Sequence, residues 1–95
     1  MTLDDIANYC EVKDCRVRLG SPEVGYITVD GTGVVTRENN YRRFLALREL
    51  ASLPAPQRVL AGATSFVIQS SEGQRTLSRE EFETELRRLE ELLYA

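Results

Sequence analysis

Apolar residues recur at helical spacing in the middle of the chain. Between Asn39 and Leu53, the residues Phe44, Leu47, Leu50 and Ala51 follow one another at three- and four-residue steps. This spacing is typical of a helix that packs one face against a sheet or another helix. Arg42, Arg43 and Arg48 lie away from this face. The pattern therefore predicts a central helix with an apolar face and a basic face.

A second periodic stretch lies at the C-terminus. Ser78 and Glu81 are three residues apart, which is the capping-box spacing that begins a helix. Four apolar residues then follow at steps of four, three and four: Phe82, Leu86, Leu89 and Leu93. The pattern predicts a helix from Arg79 to Tyr94. Because the seam is too short for an independent coiled coil, we expect it to pack on its own domain, with dimerisation or docking to a partner as the alternative.

The first half of the chain alternates between apolar and polar residues, which indicates strands. From Cys15 to Leu19, apolar residues alternate with arginines, as in a half-buried strand. Val24 to Val29 is rich in β-branched and aromatic residues. The Asp30-Gly31 pair that follows is a strong hairpin signal, so Val34 to Thr36 is expected to fold back as a third strand.

Shorter elements complete the prediction. Thr2 to Tyr9 has a capping residue and two aspartates in its first turn, which favours a helix. Pro54 to Pro56 disfavours helical geometry and is expected to be a stiff connector. Within Val59 to Gln69 a strand is best supported over the last five residues, and Arg75 to Leu77 is expected to return after a turn at Gly73.

These elements predict an α+β fold for one domain over residues 1–95. The expected order is α-β-β-β-α-β-β-α, with a mainly antiparallel sheet of about five short strands covered by two or three helices. The helices of Asn39 to Leu53 and Arg79 to Tyr94 are expected to cover one face. The predicted core consists of Ile6, Val17, Leu19, Ile27, Val29, Val35, Phe44, Leu47, Leu50, Phe66, Ile68, Leu77, Phe82, Leu86 and Leu89.

Charge changes this picture in one respect. The chain has a net charge of −3, yet residues 37–58 carry five arginines against two glutamates. A basic block between acidic flanks could meet an acidic partner or be neutralised within the fold. The candidate partner-binding residues are Arg37, Arg42, Arg43, Arg48 and Arg58, with Tyr41 beside them and with Leu92 and Tyr94 at the other end of the chain.

The chemical inventory contains no catalytic, cofactor or metal signature. The chain has no histidine, which removes the commonest general base and the commonest metal ligand. Asp30-Gly31-Thr32-Gly33 lacks the third glycine of a dinucleotide loop and the lysine of a P-loop, so a hairpin turn is the better interpretation. Cys10 and Cys15 could pair in an oxidising compartment, but we expect free thiols in the absence of a signal region.

Two functional interpretations remain. We expect a small non-enzymatic interaction protein, an adaptor, regulator or inhibitor of the kind that phages and mobile elements encode, acting on a partner protein with an acidic surface. The alternative is a nucleic-acid-binding regulator that uses the arginines of the central helix, although a pI near 5.0 argues against it. No apolar run could cross a membrane, so a cytoplasmic location is expected. A homodimer is an open alternative, through Leu92 and Tyr94 or through an edge strand such as Cys15 to Leu19.

Overall fold

The computed structural model describes residues 1–33, 35–37 and 56–94. Three helices and five strands lie within these ranges. Their bounds are α1, Leu3–Lys13; β1, Arg16–Ser21; β2, Gly25–Val29; β3, Val35–Arg37; α2, Pro56–Gly62; β4, Ser65–Ser70; β5, Gly73–Ser78; and α3, Arg79–Tyr94. The predicted α+β class is confirmed. The predicted helix of Asn39 to Leu53 lies outside the described residues, together with Phe44, Leu47 and Leu50.

The five strands form one antiparallel sheet in the order β3-β2-β1-β4-β5. β1 is the central strand, because Leu19 pairs with Ile27 of β2 on one side and with Phe66 of β4 on the other. The expectation that Cys15 to Leu19 is an edge strand is therefore wrong. Its alternating pattern shows only that one face is buried, and it does not show how many neighbours the strand has.

The hairpin turns form where the sequence predicts them. After β2, Asp30 Oδ1 accepts hydrogen bonds from the Thr32 amide at 2.9 Å and from the Thr32 hydroxyl at 2.6 Å. The Gly33 amide donates to the Asp30 carbonyl at 3.1 Å. This Asx-type arrangement closes the turn and returns the chain as β3. The second hairpin joins β4 to β5 across Ser70 and Gly73.

Capping boxes begin α1 and α3. At α1, the Thr2 hydroxyl accepts from the Asp5 amide at 3.1 Å, and Asp5 Oδ2 accepts from the Thr2 amide at 2.8 Å. Ser78 and Glu81 make the equivalent pair at α3. The bounds of α3 agree with the prediction. Helix α1 extends to Lys13 rather than ending at Tyr9, so its last turn was missed.

The sequence pattern does not predict helix α2, because Pro56 fits a connector and Val59 fits the approach of a strand. The helix begins at Pro56, where the missing amide hydrogen of proline costs no hydrogen bond. Val59 and Leu60 are buried, and Gly62 lies against the Val24 side chain. The helix thereby covers the end of the β1–β2 hairpin.

The core lies between one face of the sheet and the helices. Phe66 and Phe82 stack with ring centroids 4.7 Å apart, and Tyr9 meets Phe82 edge-on at 5.4 Å. Nine residues of the predicted core are buried: Ile6, Val17, Leu19, Ile27, Val29, Phe66, Ile68, Phe82 and Leu89. Leu77 and Leu86 are partly buried against them. Tyr9, Val59, Leu60 and Ala63 are buried members that the sequence prediction omitted.

None of the helices in the described ranges is long and apolar enough to cross a membrane. The arrangement leaves α1 and α3 side by side on the same face of the sheet, in contact with each other. Their junction is the place where apolar surface, charge and concave shape come together.

Candidate interaction surface

Tyr9 joins α1 to α3 and to the sheet. Its ring packs against Phe82, and its hydroxyl donates to Glu85 Oε2 at 3.4 Å. The other oxygen of Glu85 lies 3.7 Å from Arg75 Nη2 on β5. Burial and the negative charge of Glu85 raise the pKa of Tyr9 to about 12. The phenol therefore stays protonated at neutral pH and acts as a fixed link between the two helices.

A groove runs along this junction. It has a volume of about 300 Å³. We call it the α1–α3 groove, and its lining consists of Met1, Asp5, Asn8, Glu83, Leu86, Arg87, Leu89, Glu90 and Leu93.

The apolar lining of the α1–α3 groove grades from buried to exposed. Leu89 is buried and Leu86 is partly buried, so these two form its base. Met1 is 38% exposed and Leu93 is 48% exposed, so both still present apolar surface to solvent. An apolar side chain from another molecule could bury this remaining surface.

The polar lining of the groove is predominantly acidic. Its described lining has three acidic side chains and one basic side chain: Asp5, Glu83 and Glu90 against Arg87. Asp5 is engaged in the capping box, and Glu83 Oε1 lies 3.6 Å from Arg79 Nε. Glu90 makes no ion pair with another residue in the described part of the chain. Its carboxylate is therefore available to an incoming positive charge.

Leu92 is exposed outside the groove. Its exposed fraction is 76%, the highest of the large apolar side chains that the structure describes. The residues Leu89, Leu92, Leu93 and Tyr94 cannot all face the domain, because Leu92 and Tyr94 lie about 200° apart around the helix. The prediction that at least one apolar side chain is left over at this end is confirmed.

The predicted partner-binding residues fall on separate parts of the chain. Arg58 is exposed on α2, Leu92 lies near the end of α3, and Tyr94 is the last helical residue of α3. Arg37 is the last residue of β3, and only its backbone is described. Four further candidates lie outside the described residues: Tyr41, Arg42, Arg43 and Arg48. The groove residues Met1, Asp5 and Glu90 were not predicted, because pairing α1 with α3 is a tertiary contact that no local pattern indicates.

The prominent acid pairs of the sequence have structural partners or exposed positions. The amide and hydroxyl of Ser78 donate to Glu81 and lower the pKa of its carboxyl. Asp5 caps α1 in the same way. Among residues 1–33, 35–37 and 56–94, no group of three or more Cys, Asp or Glu side chains is placed to hold a metal ion.

Arg79 is occupied by the fold. Its Nη1 donates to the carbonyl oxygens of Leu60 at 2.8 Å and Ala63 at 2.9 Å, and its Nε faces Glu83. One guanidinium thus satisfies acceptors at the end of α2 while it begins α3. This cation is used in holding two helices together, which explains why a partly buried arginine occurs here.

We expect Arg79→Ala to lower the free energy of unfolding by about 1–3 kcal/mol, because two carbonyls lose a charged donor. Arg79→Lys should recover only part of the loss, since an ammonium cannot match the fork of a guanidinium. Arg88→Ala, at an exposed arginine of the same helix, is the control and should change stability by under about 0.5 kcal/mol. Urea unfolding measures all three, and equal effects of the two alanine variants would contradict the bridging role.

Comparison of the chain with protein-family models, with curated proteins and with solved structures gave no match. The functional conclusion therefore depends on the surface described above.

Proposed function

We propose that this protein is a non-enzymatic interaction protein, an adaptor, regulator or inhibitor, that binds a partner protein through the α1–α3 groove and the exposed end of α3. The observation that carries the proposal is the apolar surface of Leu93 and Met1, which continues from the core into an open groove. Exposed apolar surface joined to a concave site is typical of docking surfaces on small domains.

The charge of this surface favours a partner segment that combines an apolar side chain with a basic one. Helix α3 carries six glutamates against three arginines, and Glu90 adds a carboxylate to the groove without an ion pair of its own within the described residues. Complementary charge speeds encounter and suppresses unsuitable partners. The acidic partner expected from the central arginines stays a prediction, since most of those residues lie outside the described part.

The shape of the groove supports a macromolecular ligand over a small one. Ligand sites enclose roughly 300–1,000 Å³ and bury most of the ligand. The α1–α3 groove lies at the lower end of this range, and its walls include the half-exposed Met1 and Leu93. One or two inserted side chains from a partner fit this volume better than a whole cofactor does.

The test uses two charge substitutions at positions of matched exposure. Leu93 is 48% exposed in the groove, and Val12 is 46% exposed on α1 outside the groove lining. We expect affinity capture with the wild type to enrich a partner that Leu93→Glu loses and Val12→Glu retains. With the purified partner, calorimetry should show at least a tenfold weaker Kd for Leu93→Glu, about 1.4 kcal/mol. The same partner bound equally well by both variants would refute the groove as the binding site.

A second copy of the chain is one possible occupant, and sedimentation at micromolar concentration identifies it. If two copies meet through the end of α3, Leu92→Glu and Tyr94→Glu should convert a dimer into a monomer. If the wild type sediments as a monomer, a second copy of the chain is excluded as the occupant. A dimer that neither substitution affects moves the interface to an edge strand, β3 or β5.

Nucleic-acid binding is the competing interpretation, and the charge of α3 disfavours it because carboxylates repel phosphates. The double substitution Arg42→Glu and Arg43→Glu, which reverses two charges of the basic block, distinguishes nucleic-acid binding from protein binding. Retention of DNA by the wild type at physiological salt, lost in this double variant, would favour the nucleic-acid function. Unchanged binding of a protein partner by the double variant would leave the groove as the binding surface.

A further inference from the structure

The end of α1 brings two cysteines together. Asp14 adopts the left-handed conformation, with φ 52° and ψ 59°, and its amide donates to the Cys10 carbonyl. The Cys15 amide donates to the same oxygen at 3.0 Å. A hydrogen bond that spans five residues in this way is the mark of a Schellman motif, in which the side chains of the two end residues commonly make contact. Here both of those residues are cysteines.

The two thiols differ in burial. Cys10 is 1% exposed, and its Sγ lies 3.4 Å from the Val29 carbonyl oxygen. Cys15 is partly buried and packs against the core. The Cys10 thiol donates its hydrogen to the Val29 carbonyl oxygen, and both cysteines are free. Because the Cys15 amide is bonded to the Cys10 carbonyl oxygen at 3.0 Å, the two residues are held close together, and a bond between their sulfurs needs less backbone movement than separated cysteines would require.

Only Cys15 is open to a reagent. An opening of about 420 Å³ lies beside it, lined by Asp14, Cys15, Arg16, Gln69, Ser70 and Ser71. Cys10 does not line this opening. A small molecule can therefore approach Cys15 while Cys10 stays covered.

We propose that Cys10 and Cys15 are a redox site, in which a low-molecular-weight disulfide oxidises the pair to an intramolecular disulfide with Cys15 as the attacking thiol and Cys10 as the resolving thiol. The inference is independent of the groove and of any partner bound there.

Two exchanges complete the reaction. The Cys15 thiolate attacks one sulfur of the small disulfide, the bond between its two sulfurs breaks, and one small thiolate leaves and takes up the proton of Cys15. The Cys10 thiolate then attacks Cys15 Sγ, forms the Cys10–Cys15 bond and releases the second small thiolate, which takes up the proton of Cys10. Two protein thiols are oxidised to one disulfide, and one small disulfide is reduced to two thiols.

The surroundings make this reaction slow at neutral pH. Burial raises the pKa of Cys10 to about 12 and also raises the pKa of Cys15, so little thiolate is present. The neighbouring Cys10 thiol lowers the pKa of Cys15 against this rise, which favours Cys15 as the first to ionise. The charged or titratable groups that influence the pair are Lys13, Asp14, Asp30 and Arg75, with Tyr9 nearby. The rate should therefore continue to rise above pH 9, where an ordinary thiol approaches its plateau.

The test treats the reduced wild-type protein with 2-hydroxyethyl disulfide under native conditions and follows it by mass spectrometry after acid quenching. The proposal predicts a product lighter by two hydrogens, with both thiols lost and a peptide that links Cys10 to Cys15. Cys10→Ala should accumulate a mixed disulfide on Cys15. Cys15→Ala should stay unreacted while folded and react after denaturation. Circular dichroism of each variant confirms that it is folded.

The equilibrium gives a second measurement. In a redox buffer, the equilibrium constant for disulfide formation should be at least about tenfold higher in the folded wild type than in denaturant, which is about 30 mV for a two-electron couple. An equal or lower constant in the folded protein would overturn the proposal. Mixed disulfides on both cysteines, or a disulfide-linked dimer as the main product, would overturn it as well.

Discussion

Phe82→Ala is expected to lower the free energy of unfolding by about 3–5 kcal/mol, a large part of the 5–15 kcal/mol typical of a domain. Phe82 is fully buried between the stacked ring of Phe66 and the edge of Tyr9. Removing its ring opens a cavity where α1, α3 and β4 meet, and both aromatic contacts are lost. Phe66 is held by the sheet, so its ring cannot move far enough to fill the cavity.

Urea unfolding followed by circular dichroism measures the loss. Leu92→Ala is the control on the same helix, since the exposed Leu92 side chain should contribute less than about 0.5 kcal/mol. Phe82→Leu should lie between the two, because it keeps part of the buried volume. A loss of less than about 1 kcal/mol for Phe82→Ala would mean that the three aromatic rings do not anchor the helices to the sheet.

Gly20→Ala is expected to have an effect of similar size for a different reason. Gly20 lies in the central strand with φ +151°, which side chains rarely allow, and a Cβ there would overlap the Gly25 carbonyl oxygen and lie 2.8 Å from Tyr26 Cα. The overlap is with backbone atoms of the paired strand, so no side chain can move aside. Backbone strain costs roughly 1–3 kcal/mol, and the overlap adds roughly 1–3 kcal/mol.

Gly73→Ala separates the two contributions. Gly73 also has positive φ, at +126°, but a Cβ there would meet no atom within 4 Å. This variant should therefore show the conformational cost alone. Thermal unfolding should give a distinctly lower Tm for Gly20→Ala than for Gly73→Ala. Equal Tm values for the two variants would show that β1 and β2 leave room for a Cβ at Gly20.

Local patterns predicted the elements whose signals lie within a few residues of one another. Ser78 and Glu81 cap α3, and the apolar steps that follow define its length. The Asp30-Gly31 hairpin is equally local, since its hydrogen bonds join Asp30 to Thr32 and Gly33. In both cases the residues that give the signal also make the contacts, so the sequence pattern is sufficient.

Elements whose form depends on tertiary contacts were missed. Helix α2 has seven residues, too few to show a period, and its Pro56 fits a connector as well as a first helical turn. The last turn of α1 is polar apart from Cys10 and Val12 and ends at a left-handed Asp14, a conformation that glycine usually supplies. The α1–α3 groove needs two helices from opposite ends of the chain. For the same reason, Leu93 could be predicted as apolar but not as part of a groove.

The central position of β1 has a consequence for how the chain acquires its structure. β1 joins β2 through a short turn, but it joins β4 by pairing Gly20 with Ser65 and Arg16 with Gln69, which lie far apart in the sequence. Loop closure costs only about 0.6 kcal/mol for each doubling of loop length, so the pairing of β1 with β4 has a modest free-energy cost. The pairing forms slowly, because the two strands are distant in the sequence. On a ribosome the first hairpin is complete before β4 is synthesised, and one side of β1 then has no neighbouring strand. We infer that the nascent chain passes through a stage in which one edge of β1 is unpaired. Aggregation is therefore expected more during synthesis than after the protein has folded.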